Sequence, residues 1–244
     1  MRDLKSKVVV VTGASRGIGA AIANHFACEK CRLMLAGRNK TRLKVVADDL
    51  GLKKEDCAVI TGDITKKVQM KKIIDAAIKK FGRIDIFVNN AGVGISKPIV
   101  KTTEKEFDTI FDTNVKAVYF SFLFLLPLFE KQRGGQIINI SSGAGRFGQP
   151  NIAAYSASKA ALNALSEGVA GEVRHKNIKI SVLSPASTDT AFMSNMSEKS
   201  KSPSKAKMKL TVDEVAEAVV FLAKQNRNAW TSMADIRPLL IHRK

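Results

Sequence analysis

Six short apolar runs, at 7–12, 31–36, 57–62, 84–89, 136–141 and 178–184, alternate with longer amphipathic stretches, and this alternation restricts the fold more than any other feature of the chain. Runs of that length suit strands. They lack the period-two pattern of a strand with one wet face, so both faces must be covered, as in a parallel sheet held between helical layers. With 244 residues and 45% hydrophobic content the chain can bury a full core without a second domain. The reading is a single α/β domain over residues 1–244, a Rossmann-like doubly wound parallel sheet of about seven strands with helices on both faces. A helix over about 212–225 should start at Thr211 as N-cap with Glu214 three residues on. A last strand is expected within 234–241, where Pro238 suggests an edge or a bulge. Residues 191–209, rich in Ser and Lys with Pro203, predict a flexible substrate loop beside the site.

The strand ends carry the chemistry. Thr12-Gly13-Ala14-Ser15-Arg16-Gly17-Ile18-Gly19 follows a Val-rich run and precedes a helical pattern, so its backbone N–H groups and the helix dipole can receive a pyrophosphate. At the end of the second run, Leu35-Ala36-Gly37-Arg38 lacks the acid that would hold a ribose 2′-hydroxyl. Arg38 and Arg16 instead offer two guanidiniums suited to a 2′-phosphate, which favours NADP(H). Tyr155 and Lys159 are four residues apart, hence on one helix face, and make a plausible proton-transfer pair.

Taken with Asn89-Asn90-Ala91-Gly92 and Ser141-Ser142, the glycine run and Tyr155-Ser156-Ala157-Ser158-Lys159 resemble the short-chain dehydrogenase/reductase family over about residues 5–222. The resemblance implies hydride transfer between a nicotinamide and a carbonyl/alcohol pair. Tyr155 would be the acid/base, with Lys159 lowering its pKa and holding the nicotinamide ribose. Ser142 would polarise the substrate oxygen, and Asn114 would support a water-linked proton path to the lysine. A helix-bending role for Asn114 is the alternative. Cofactor contacts are implied for Gly13, Ser15, Arg16, Gly17, Ile18, Gly19, Arg38, Asp63, Ile64, Asn90, Ala91, Gly92, Tyr155, Lys159, Pro185, Thr188 and Thr190. Asp63 and Asn90 fit ordinary turn chemistry as well. Two departures stand out: Ala186 replaces the usual Gly after Pro185, and the C-terminal Ala234-Asp235-Ile236-Arg237-Pro238 lacks the Asp-Gly-Gly of many 3-oxoacyl-carrier-protein reductases. The ending looks closer to short-chain 3-hydroxy acid dehydrogenases and general carbonyl reductases. The expected substrate is therefore a 3-oxo or 3-hydroxy acid or related small carbonyl. A 3-oxoacyl-carrier-protein reductase of fatty acid synthesis is the alternative, its acidic partner welcomed by Arg133, Arg146 and Lys176. A homodimer or homotetramer is expected from the aromatic stretch 117–129 and the small face Ala157, Ala160, Ala161 and Ala164.

A formal charge of +18 attracts polyanions. The excess is scattered in lysine pairs such as Lys66-Lys67, Lys71-Lys72 and Lys79-Lys80, without an Arg-rich, aromatic-interleaved stripe, and so reads as a solvated surface without a nucleic-acid partner. A dinucleotide-sensing or polyanion-binding regulatory protein is the rival of another class. The apolar stretch 117–129 is too short for a membrane span. Cys28-Glu29-Lys30-Cys31 with His25 and Cys57 has zinc-like arithmetic, but its positions fall at the sheet end away from the expected cofactor, and no metal is expected. Three thiols expected to be buried or half-buried fit a reducing compartment, and the Val8–Val11 run is too short for a signal peptide's apolar region, so a cytoplasmic enzyme is expected.

Overall fold

The computed structural model describes residues 1–190, 209–226 and 228–239. Seven strands form one parallel sheet in the order β3-β2-β1-β4-β5-β6-β7. They are β1 Val8–Thr12, β2 Arg32–Gly37, β3 Cys57–Thr61, β4 Ile86–Asn89, β5 Gly135–Ile140, β6 Ile178–Pro185 and β7 Met233–Ile236. The helices are α1 Gly17–Cys28, α2 Lys40–Asp49, α3 Lys67–Phe81, α4 Glu104–Phe111, α5 Ala117–Lys131, α6 Ala153–Val173 and α7 Val212–Lys224. This is the Rossmann-like doubly wound α/β fold.

Alternate side chains of one strand feed opposite layers, which is why the strands read as unbroken apolar runs. Val9 and Val11 of β1 pack with Ile22 and Phe26 of α1, Leu43 of α2 and Val219 of α7. Val8 and Val10 face Ile73 of α3, Leu125 and Phe129 of α5 and Leu162 of α6. Chain order reverses direction at β1, which has β2 on one side and β4 on the other, and this opens the crevice where ligands of such sheets bind.

Thr211 caps α7 reciprocally with Glu214, as the spacing predicts. The last strand departs from expectation. It spans Met233–Ile236 at the sheet edge and stops two residues before Pro238, which has no N–H to donate and so lies beyond the ladder. The expected loop at 191–209 falls outside the described residues except for Lys209, which pairs with Asp189. α4 and α5 join through a π-helical turn, Asp112–Lys116, giving one helix of 28 residues whose length and hydropathy would suffice to cross a membrane. Its Phe120, Phe122, Leu125 and Phe129 are instead buried against the sheet and α3. Burial pushes the Cys31 thiol up to about 12 and the Cys57 thiol to about 11, so neither is a thiolate at neutral pH.

Candidate active site

A cavity of about 670 Å³ runs across the C-terminal ends of β1, β2, β4, β5 and β6. Its walls include every residue expected to touch the cofactor: Gly13, Ser15, Arg16, Gly17, Ile18, Gly19, Arg38, Asp63, Ile64, Asn90, Ala91, Gly92, Tyr155, Lys159, Pro185, Thr188 and Thr190. Ser142 also lines it, whereas Asn114 lies behind the wall.

The glycine loop is held from two sides. Thr12 Oγ1 accepts the N–H groups of Asn90 and Ala91, and Asn90 Nδ2 donates to the carbonyls of Thr12 and Gly13. Asn90 thus braces the loop as well as lining the cavity. A Cβ at Gly19 would lie 2.3 Å from the Gly13 carbonyl oxygen and 2.5 Å from Asn90 Nδ2, so the first turn of α1 seats against the loop only because a hydrogen stands there. The uncapped N-terminus of α1 then faces a glycine-lined wall, which fits a dinucleotide pyrophosphate. Gly19→Ala is expected to cost about 1–3 kcal/mol in denaturant unfolding and to weaken dinucleotide binding at least about tenfold in a fluorescence titration.

Asp63, one of the expected cofactor contacts, is partly spent on a turn: its Oδ1 accepts from the backbone and hydroxyl of Thr65, and its N–H donates to Gln69. Beside it stand Arg16, Arg38 and a third cation, Arg42, none in an ion pair among the described residues. Arg42 was missed by sequence reasoning. The signal was Asn39, which caps α2 by accepting the Arg42 N–H at 2.9 Å and so sets Arg42 in the first turn at the cavity wall.

The other end of the cavity brings Ser142, Tyr155 and Lys159 together. β5 ends in Ser141 and Ser142, and their side chains diverge. Ser141 is buried and donates to Asn163 Oδ1 at 2.6 Å. Ser142 opens to the cavity, accepts the Ala144 N–H at 3.2 Å and is hydrogen-bonded to Tyr155. Both serines line the cavity, and of the two Ser142 is the more exposed. Burial pushes the Tyr155 phenol up, and the Ser142 hydrogen bond works against it. The Lys159 ammonium sits 5.9 Å from the centre of the Tyr155 ring and donates to the Ile140 carbonyl at 2.8 Å. Lys159 is 4% exposed, and desolvation lowers its own pKa to about 8.

Asn114 sits in the π-helical turn at 1% exposure. Its Oδ1 accepts the Val93 N–H at 2.9 Å, and its Nδ2 donates to the Val93 carbonyl and to Ser158 Oγ at 2.8 and 2.9 Å. The side chain grips the backbone that follows Gly92, and a Cβ at Gly92 would lie 3.3 Å from Asn114 Oδ1 and 3.7 Å from Lys159 Nζ. Phe147, Gln149 and Ile152 line the same cavity, as does Arg237, one residue beyond the end of β7.

Chemically, this cavity can hold an extended anion-bearing ligand with its phosphates at the glycine loop and arginines, and can present a neutral phenol to a carbonyl oxygen at the other end. The short chain dehydrogenase model matches residues 7–201. An uncharacterised oxidoreductase of Staphylococcus aureus is 34% identical over 98% of this chain and 100% of its own length. The crystal structure of a metagenomic short-chain oxidoreductase in complex with NADP superposes with a TM-score of 0.83 at 30% identity, covering 98% of this chain and 100% of that one. That of a 3-ketoacyl-(acyl-carrier-protein) reductase from Brucella melitensis complexed with NADH does so at 0.86 and 30%, covering 96% and 98%. With the sheet order, the glycine loop and the serine, tyrosine and lysine at one cavity end, these likenesses make this chain a member of the short-chain dehydrogenase/reductase family of oxidoreductases.

Proposed function

We propose that the protein is an NADP(H)-dependent reductase or dehydrogenase of 3-oxo or 3-hydroxy acids and related small carbonyl compounds. The observation that carries this reading is the polarity of the cavity: Arg16, Arg38 and Arg42, in no ion pair among the described residues, at one end, and Ser142, Tyr155 and Lys159 at the other. Three guanidiniums suit the 2′-phosphate that distinguishes the two nicotinamide dinucleotides. A bound nicotinamide supplies the hydride in reduction and accepts it in oxidation. As hydride reaches the carbonyl carbon, the C=O π pair moves onto oxygen, Ser142 donates a hydrogen bond to that oxygen, and the Tyr155 hydroxyl gives it the proton. Arg237 at the substrate end suits a carboxylate. Exposed Tyr119 and Leu123 on α5 and the stacked Phe107 and Phe111 on α4 support assembly into a homodimer or homotetramer.

The test is NADPH oxidation, followed by absorbance, with a 3-oxo acid, its methyl ester and a carrier-bound 3-oxoacyl thioester, NADH being run in parallel. The expected result is turnover of the acid, with kcat/KM at least about tenfold higher for NADPH than for NADH and the preference narrowing in Arg38→Ala. Equal use of NADH would sink the cofactor assignment. The similarity to a 3-ketoacyl-carrier-protein reductase favours a second reading. It takes over if the carrier thioester is the best substrate and its rate falls steeply with salt while that of a small analogue does not.

A further inference from the structure

We infer that Asn163 is a positioning residue that sets the Ser142–Tyr155 hydrogen bond, an inference that rests on the roles proposed above for those two side chains. Asn163 lies on α6, four residues beyond Lys159 and eight beyond Tyr155, and is 8% exposed. Its side chain reaches both neighbours of the catalytic serine's turn. Oδ1 accepts the Ser141 hydroxyl at 2.6 Å, and Nδ2 reaches the Gly145 carbonyl at 3.4 Å. Ser141 Oγ also lies 3.4 Å from the Lys159 carbonyl oxygen.

Ser142 sits between these two anchors. It is further fixed by the Gly145 N–H donating to its carbonyl at 2.9 Å and the Ala144 N–H donating to its hydroxyl oxygen. The turn lies directly on the helix: a Cβ at Gly145 would be 2.9 Å from the Lys159 carbonyl carbon and 3.0 Å from Asn163 Nδ2. The helix that carries Tyr155 and Lys159 therefore also holds, through one amide, the segment that carries Ser142. Without this link, the separation of Ser142 from Tyr155 would depend on how β5 and α6 pack over a longer path.

The experiment compares Asn163→Leu and Ser141→Ala, each made in the wild-type chain and in Ser142→Ala. Unfolding midpoint and NADPH affinity are measured alongside kcat and KM. In the wild-type background each change is expected to lower kcat about 5- to 20-fold with KM and NADPH affinity nearly unchanged; in Ser142→Ala the same changes should cost less than about twofold. A second readout needs no turnover. The chain has two tyrosines, so in Tyr119→Phe protein labelled with ¹³C at tyrosine Cζ a single resonance reports Tyr155. Asn163→Leu should move that resonance in the same direction as Ser142→Ala, and combining the two should move it no further. Equal losses in both backgrounds, or an unmoved resonance, would overturn the inference and leave Asn163 a packing residue. Should Ser142→Ala and Tyr155→Phe themselves keep full activity, the proposed chemistry falls, and the positioning role falls with it. Loss in those two variants but not in Asn163→Leu or Ser141→Ala removes the positioning role alone.

Discussion

Tyr155→Phe is expected to lower kcat about 10²- to 10⁴-fold, the range for loss of one positioned acid/base, while NADPH affinity and the unfolding midpoint change little. The ring stays, so its contacts with Ala144 and Ile152 are preserved; only the hydroxyl hydrogen-bonded to Ser142 is removed. The pH dependence should separate the two directions of reaction. Reduction needs the protonated phenol, and burial holds Tyr155 above the ordinary phenol value, so the free enzyme keeps its proton donor through neutral pH. Oxidation needs the phenolate, so kcat/KM for alcohol oxidation should climb with pH across the alkaline range while reduction stays flat at neutral pH. A profile for oxidation that falls with rising pH would exclude Tyr155 as the base. A residual rate within a few fold of wild type would remove it from the chemistry.

The second large effect combines lost activity with gained stability. Lys159→Met is expected to abolish most turnover and, at neutral pH, to raise the unfolding midpoint. The wild-type ammonium is buried and held by a backbone carbonyl, and its pKa falls from 10.5 to about 8. That shift corresponds to a penalty of about 3 kcal/mol on the charged form, partly offset in the comparison because Met leaves the Ile140 carbonyl without its donor. A net gain of about 1–2 kcal/mol, or about 2–8 °C, follows for a chain of this size. Its sign depends on pH. Between about 8 and 10.5 the unfolded chain binds the lysine proton more tightly than the folded one, so wild-type stability rises with pH across that window while the variant's does not. The advantage of Lys159→Met should be full below pH 8, vanish between 8 and 10.5, and be reversed near 10.5, where the neutral amine still serves the Ile140 carbonyl. A variant less stable than wild type at pH 7 would mean that the ammonium's favourable contacts outweigh its desolvation.

The parts of this protein that sequence displays best are those governed by neighbours in sequence. The first six strands, the glycine loop and the Thr211–Glu214 cap follow from local pattern, and each lies where the pattern puts it. What the sequence hides is set by atoms far along the chain. The rise of the Tyr155 pKa comes from burial against segments that no helical spacing reveals. The spacing of Tyr155 and Lys159 says they share a face, not that the ammonium turns to Ile140. Asn114 meets Val93, 21 residues away, and Asn163 meets Ser141, 22 residues away, across different elements. Arg42 lay nearer to legibility, since an Asn three residues earlier was already a capping signal.

The π-helical turn at Asp112–Lys116 has a consequence for which chain lengths the fold tolerates. Such a turn holds one residue more than the α-helical path requires, and each α-helical residue advances the helix by about 100°. Deleting one residue there would relax the turn into ordinary helix yet rotate everything upstream relative to α5. Asn114 would swing off Val93 while Phe120, Leu125 and Phe129 kept their seats in the core. The helix therefore carries two angular phases, one fixed by the core and one by the active site, and this stretch is bound to its residue count more tightly than to its composition.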